Sequence, residues 1–265
     1  MHTHRSIAIS AALEAGRTLR RYYQNVGTVT YKGEIDIVTE ADQTAENAII
    51  SRLQGAFPEY GILAEESGVH ESTSGTTRKW IIDPLDGTTN FANGYPHFCV
   101  SIALEQEGEV VLGVIYEPNR DELFIAEAGA GVYVNGVRSR VSETSDLIRS
   151  VVSTGFQYDR DERASNLNRF AHFTHETRAV RRDGSAALDL CYVAVGRFDG
   201  YWEAGIKPWD AAAASLMVRE GGGTITDFTG NAFRVDSPSC VASNGVLHHD
   251  LLSGIRRSGG KAGVG

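Results

Sequence analysis

The sequence predicts a layered α/β fold, and three observations predict it. Small apolar residues at helical spacing open the chain. Short strand-like runs separated by turn residues fill residues 98–134. From residue 150 onward, strand and helix patterns alternate. A strand-rich first half followed by an alternating second half points to sheets and helices stacked in layers.

Ile7, Ala8, Ala11, Ala12, Ala15, Leu19 and Tyr22 recur at helical spacing and predict a helix over 7–23. Residues 29–31 read as a short strand and 32–42 as a polar loop. Asp42 precedes an amphipathic run over 45–53 and reads as its cap. Residues 61–64 and 79–82 read as buried strands. Strands follow at 98–104, 110–116, 123–126 and 132–134, punctuated by Gly108, Pro118-Asn119 and Asn135-Gly136, as in an antiparallel sheet. The second half reads as strand 150–154, helix 163–173, strand 177–180, helix 186–195, strand 200–202, helix 209–220, strands 224–226 and 240–242, and helix 246–255. The two halves divide near 140–150: 1–145 carries most of the acidic clusters, and 146–265 carries Asp210.

A chain of 265 residues is long enough to bury a substantial core. Its formal charge of -9 argues against a nucleic-acid-coating role, which needs a basic face. Cys99, Cys191 and Cys240 are sparse, odd in number and free of C-x-x-C spacing, which predicts reduced, buried thiols in a cytoplasmic protein. His2, His4, Arg5, Glu14 and Arg17 leave no room for the apolar core of a signal peptide, and no apolar run reaches membrane-spanning length.

Four acidic clusters lie at predicted strand ends or helix starts: Asp36 to Asp42, Glu65-Glu66, Asp83-Pro84-Leu85-Asp86-Gly87-Thr88, and Trp209-Asp210. Each has a plain structural reading. Asp42 and Asp210 serve as helix caps, Glu65-Glu66 as a solvated loop, and Asp-Pro and Asp-Gly as turn formers. Together they offer several carboxylates, the Leu85 carbonyl and two hydroxyls, the oxygen-rich donor set that a hard cation prefers. His172 and His175, the adjacent His248-His249, Gly129-Ala130-Gly131 and Gly221-Gly222-Gly223 carry weaker signals, each read more simply as surface, turn or helix end. Arg178, Arg181 and Arg182 fit an anionic substrate or a plain surface equally well.

Trp80 to Phe91 reads W-I-I-D-P-L-D-G-T-T-N-F. With D-I-V-T-E-A-D and A-E-E-S before it, and G-S-A-A-L-D-L and W-D-A-A-A-A after it, the chain resembles the inositol monophosphatase family over nearly its whole length. The resemblance implies α-β-α-β-α layers and a lithium-sensitive, magnesium-dependent phosphatase. It also implies roles. Glu65, Asp83 and the Leu85 carbonyl hold one magnesium; Asp83, Asp86 and Asp210 hold a second; Glu65 touches a weaker third. Asp42 and Thr88, with Glu65, form the catalytic group that orients and deprotonates the attacking water. Gly87 and Thr88 present N–H groups to the phosphate. Gly184, Ser185, Ala186 and Glu203 line the alcohol side, with Asp210 near the ester oxygen and Glu65, Leu85 and Asp86 also bordering the substrate. Lys32 sits on a loop that helps retain metal. The resemblance further implies that manganese can replace magnesium, that lithium and calcium inhibit, and that the protein forms a homodimer.

A phosphate monoester is inert enough for catalysis to require acceleration approaching ~10²¹-fold, which no lone side chain supplies. The expected substrate is inositol 1-phosphate or a related polyol phosphate. The alternatives are fructose 1,6-bisphosphate, histidinol phosphate, nicotinamide dinucleotide phosphate and 3'-phosphoadenosine 5'-phosphate. A rival from another class is a regulatory binding protein of the transcription machinery with secondary phosphatase activity.

Overall fold

The computed structural model describes residues 2–25, 29–31, 37–156 and 160–259. Helix and sheet layers alternate, α-β-α-β-α, as expected. The first layer pairs α1 (His2–Tyr22) with α2 (Glu40–Ala56). The stripe Ala8, Ala11, Ala12, Ala15 and Leu19 is buried, so the opening helix uses the face its spacing predicts.

The start of α2 differs from the sequence reading. Thr39 is the N-cap, accepting the Ala41 N–H at 3.2 Å, and Asp42 is the third residue of the helix, reaching back to the Thr39 N–H at 2.8 Å. This reciprocal capping box sets the helix start about a turn before the apolar period begins. β1 (Val29–Tyr31) pairs antiparallel with β2 (Ile37–Thr39), so the predicted loop 32–42 ends in a strand and a helix start. Lys32 lies in 32–36, outside the described residues.

β3 (Gly61–Ala64), β4 (Gly68–His70), β5 (Lys79–Asp86), β6 (Cys99–Gln106), β7 (Glu109–Glu117), β8 (Glu122–Glu127), β9 (Gly131–Val134) and β10 (Val137–Ser139) form one sheet, ordered β10-β9-β8-β7-β6-β5-β3-β4. Its pairings are antiparallel except for β3 beside β5, which run parallel. The one-turn helix α3 (Thr88–Ala92) links β5 to β6. Both faces of this sheet are covered. Trp80 and Ile82 pack under α1 and α2 with Val100, Ile102 and Leu104, while Ile81 and Ala103 pack on the opposite side. The period-2 alternation of strands divides the apolar side chains between two cores. Each fully buried Trp or Ile contributes roughly 1.5–3 kcal/mol.

After a 3₁₀ turn at Leu147–Arg149, β11 (Val151–Thr154), β12 (Ala179–Arg181), β13 (Gly200–Ala204), β14 (Thr224–Thr226) and β15 (Ser239–Ser243) form the second sheet, ordered β12-β11-β13-β15-β14. α4 (Arg160–Glu176) and α7 (His248–Ser258) cover its outer face. α5 (Ala186–Ala194) and α6 (Pro208–Glu220) lie between the sheets.

Small side chains make this central layer possible. Ala211, Ala212, Ala213 and Ala214 are all fully buried. A Cβ on Gly113 of β7 would stand 2.6 Å from the Ala213 carbonyl oxygen, so helix and strand meet backbone to backbone. Gly113→Ala is therefore expected to cost about 1–3 kcal/mol through overpacking, read as a lower denaturation midpoint in chemical unfolding. An unchanged midpoint would remove this contact as a packing constraint.

Candidate active site

The site begins where β5 stops pairing regularly. Asp83 is opposite Ser101 and Asp86 is opposite Cys99, so three steps on β5 face two on β6. This one-residue bulge carries Pro84, which has no N–H to offer the ladder. The Leu85 N–H turns instead to Asp83 Oδ1 at 2.9 Å. Gly87 follows at φ +97°, and a Cβ there would come within 3.0 Å of the His97 carbonyl oxygen. Only glycine combines that dihedral with that approach. The predicted helix start is real but short, because α3 ends at Ala92.

The bulge opens onto a cavity of about 340 Å³ between the two sheets. Glu65, Asp83, Leu85, Asp86, Gly87, Thr88, Gly184, Ser185, Ala186, Glu203 and Asp210 all line it. Asp42 does not. It lies buried behind Thr88, whose hydroxyl is 3.1 Å from both Asp42 Oδ1 and the Leu85 carbonyl oxygen.

The cavity wall concentrates negative charge. Burial raises the Asp83 carboxyl well above its ordinary range, and Glu65, Asp86 and Asp210 push it the same way, with a hydrogen bond to Glu65 adding to the effect. Burial pushes Asp86 up to about 6, although its Oδ2 accepts Ser185 Oγ at 2.5 Å and the Ala187 N–H at 2.8 Å. Asp210, the third residue of α6, accepts the Lys207 N–H at 3.0 Å, and Pro208 occupies the first turn of that helix. Desolvation and then Asp86 raise its carboxyl too. As with Asp42, Asp210 is therefore not the cap it was expected to be: Lys207 is the N-cap, and Asp210 reaches back to it from the third helical position while also facing the cavity. Burial likewise lifts Asp42 against the hydrogen bonds from Thr39 and Thr88. Oxygen-only donors that repel one another in a buried wall fit a hard divalent cation, which removes the repulsion.

The residues expected on the alcohol side come from the second sheet and the start of α5. Glu203 is buried on β13 and accepts the Tyr201 hydroxyl. Gly184, at φ +85°, packs its Cα against the Asn90 amide, and Ser185 caps α5 with its hydroxyl 3.4 Å from the Leu188 N–H. Ser185 is thus engaged with Asp86 and with its own helix.

Several lining residues carried no assigned role in the sequence reading, among them Asn90, Phe156, Asp189 and Lys207, while Arg182, one of the three arginines read as fitting an anionic substrate or a plain surface, lines the cavity. The nearest signals were Asn90 within the motif that ends at Phe91 and Asp189 within G-S-A-A-L-D-L. His97 was missed entirely. Among the described residues, the compact trio of potential metal-ligating side chains is His97, Asp183 and Asp189, with ligand atoms within 4.8 Å of one another. Asp189 also lines the cavity and is raised in part by Asp86, so the trio adjoins the four predicted carboxylates without including any of them. Of the weaker signals, His248 is buried with its ring nitrogens 2.9 Å from Thr226 Oγ1 and 3.0 Å from Ser243 Oγ, a core role.

A layered α/β fold with oxygen donors gathered round a cleft between its sheets defines a metal-dependent phosphatase. The chain belongs to the inositol monophosphatase family, whose model matches residues 1–259. It is 44% identical over 255 residues to an inositol-1-monophosphatase of Mesorhizobium japonicum, covering 95% of this chain and 96% of that one. It is 42% identical over 266 residues to the Nus factor SuhB of Vibrio cholerae, covering 99% of each. The crystal structure of the extragenic suppressor protein suhB from Bartonella henselae superposes with a TM-score of 0.92 at 41% identity, covering 99% of this chain and 100% of that one. No helix among the described residues is long and apolar enough to cross a membrane.

The raised carboxyls fix a sign for stability against pH. The folded state holds protons that the unfolded chain has already released, so their contribution is full below the ordinary carboxyl value and is lost as pH rises through the folded value. Asp86, moved from 3.8 to about 6, accounts for up to about 3 kcal/mol. In chelator, the thermal midpoint is expected to fall between pH 5 and pH 7. Saturating divalent cation is expected to reverse the fall, and Asp86→Asn to make it shallower. A midpoint independent of both pH and cation would contradict the electrostatic picture.

Proposed function

We propose that this chain is a magnesium-dependent phosphomonoesterase that hydrolyses inositol 1-phosphate or a similarly small polyol phosphate. The observation that carries the reading is the convergence of Glu65, Asp83, Asp86 and Asp210 on one cavity beside the Thr88–Asp42 pair. Glu65, Asp83, the Leu85 carbonyl, Asp86 and Asp210 would hold the magnesium. When bound, the ions supply Lewis acidity toward the attacking water and the leaving oxygen.

The chain's own groups do the rest. The single Thr88 proton is shared between Asp42 and the Leu85 carbonyl. With the Leu85 carbonyl among the groups that would hold the metal, Asp42 would be the acceptor left for the Thr88 proton, and the Thr88 lone pairs would be available to water. Thr88 then takes the water's proton as it passes its own to Asp42, whose carboxyl burial raises, making it a stronger base than an exposed aspartate. The first N–H groups of α3 have no intrahelical acceptor, and those of Gly87 and Thr88 bind the phosphoryl oxygens. Glu203 accepts a hydroxyl of the polyol. Three free, buried thiols suit a reducing, cytoplasmic setting, and the family resemblance favours a homodimer.

The relative named as a Nus factor favours a second reading, in which a surface of the chain serves a regulatory complex. That role would survive Asp83→Asn, because it needs the fold and not turnover.

Asp83→Asn is expected to lower phosphate release by ~10³-fold or more, about 4 kcal/mol of barrier, with circular dichroism unchanged. Near-normal turnover would remove Asp83 from the site. Thr88→Ala is expected to lower kcat by ~10²–10⁴-fold and to alter KM far less. A change confined to KM would assign Thr88 to binding instead. Lithium at millimolar concentration is expected to inhibit, with a phosphate-release panel of polyol, sugar and nucleotide phosphates identifying the alcohol.

A further inference from the structure

Beside the carboxylate cavity lies a second group of potential ligands that the hydrolytic reading does not use. His97, at the end of the turn before β6, and Asp189, in the first turn of α5, are almost fully buried. His97 Nε2 and Asp189 Oδ1 are 4.0 Å apart, and neither has a hydrogen-bond partner. Two unpartnered polar atoms facing each other in the interior cost free energy, and a native structure resolves that cost with a bound species or a proton. Both atoms are sealed from solvent. Their separation is a few tenths of an ångström wider than the ~3.3–3.5 Å between two ligands of a tetrahedral ion bound at ~2.0–2.2 Å, so a small closing movement brings both into ligand range. The Asp183 carboxylate completes the trio within 4.8 Å.

The scaffold holds these three positions in place. The Asn90 side-chain amide donates to the His97 carbonyl at 2.8 Å and to the Asp183 carbonyl at 2.7 Å, so one side chain ties together the two segments that carry ligands. Ser185 caps α5 one turn before Asp189. Burial holds the imidazole neutral, its pKa pushed down to about 4, which leaves its lone pair free for coordination. Burial, then Asp183, Asp86 and Glu203, raise the Asp189 carboxyl, so a cation there relieves repulsion on every side.

We propose that His97, Asp183 and Asp189 form a transition-metal site, distinct from the magnesium-type carboxylate set, that takes zinc or a similar imidazole-preferring divalent ion. One nitrogen and two carboxylate oxygens select such ions over magnesium, which is bound by oxygen alone. The inference does not depend on the phosphatase reading, since none of these residues belongs to the carboxylate set around Asp83.

The site would act as a clasp. It joins the turn before β6 to the loop and first turns of α5, and that same helix start holds Asp86 through Ser185 and Ala187. Zinc bound there is expected to raise the thermal midpoint of protein already saturated with magnesium.

The test uses the full chain in saturating magnesium, with zinc added at micromolar levels. Crystals soaked in zinc are expected to show an anomalous difference peak among His97 Nε2, Asp183 and Asp189, and equilibrium dialysis is expected to find one zinc retained per chain. His97→Gln and Asp189→Asn should each lose that equivalent together with the zinc-dependent rise in midpoint, whereas Asp210→Asn should keep both. Anomalous density confined to the cluster of Glu65, Asp83, Asp86 and Asp210 would overturn the proposal. So would zinc retention that falls with Asp210→Asn and not with His97→Gln. The soaked wild-type crystal decides the matter even if a variant fails to fold.

Discussion

Asp86 fastens the two sheets to each other. It ends β5 in the first sheet, and its Oδ2 accepts hydrogen bonds from Ser185 and Ala187 at the start of α5, which packs against the second. Charge-assisted bonds of this kind are shorter and about twice as strong as neutral ones. Because the acceptor is a single buried oxygen, the cavity wall contributed by the first sheet and the wall contributed by α5 share one fixed point. Thr88 and Gly87 follow Asp86 directly in the chain, and Gly184 directly precedes Ser185, so both sides of the cleft take their positions from that joint.

The joint is made of a group that would be easier to bury as a neutral side chain. Asp83, Asp86, Asp189 and Asp210 all have raised carboxyls, with desolvation the leading cause in each case. A fold selected only for stability would replace such groups with apolar ones. Their retention is the mark of a site held ready for cations, in which part of the strain of the empty state is released when the ligand arrives. The hydrogen bonds around Asp42 have the same character: a capping box fixes the helix, and the carboxylate left over faces Thr88.

Much of this was legible in the sequence, for identifiable reasons. The α1 stripe repeats at 3.6 residues and needs no tertiary information. Asp83-Pro84 and Asp86-Gly87 are turn signals wherever they occur, so the break in β5 was visible, although the bulge that produces it was not. Thr39 was missed as the cap because the apolar period starts at Ala45, a turn after the helix does. β4 and β10 were missed because each has a single apolar residue, Val69 and Val137, and both side chains face solvent, so neither strand leaves an apolar signature. The shared cavity of Glu65, Asp83, Asp86, Glu203 and Asp210 was inferred from motif order rather than from spacing. His97 and Asp189 were illegible for a plainer reason. One sits after a short turn and the other within an apolar helix, and only the tertiary fold brings them face to face.

The close approach of Gly113 to Ala213 bears on how such a protein can diversify. Where strand and helix touch without side chains between them, the depth of α6 is fixed, and with it the depth of Asp210. Any larger residue on that side would dislodge a cation-facing carboxylate before it reshaped the cavity. The wall that includes Gly155 and Glu203 has its own close contact, since a Cβ on Gly155 would run into the Glu203 carboxyl. Both sides of the cleft are thus held by glycines that leave no space for a side chain, so new shapes of the cavity must come from the residues between these two contacts.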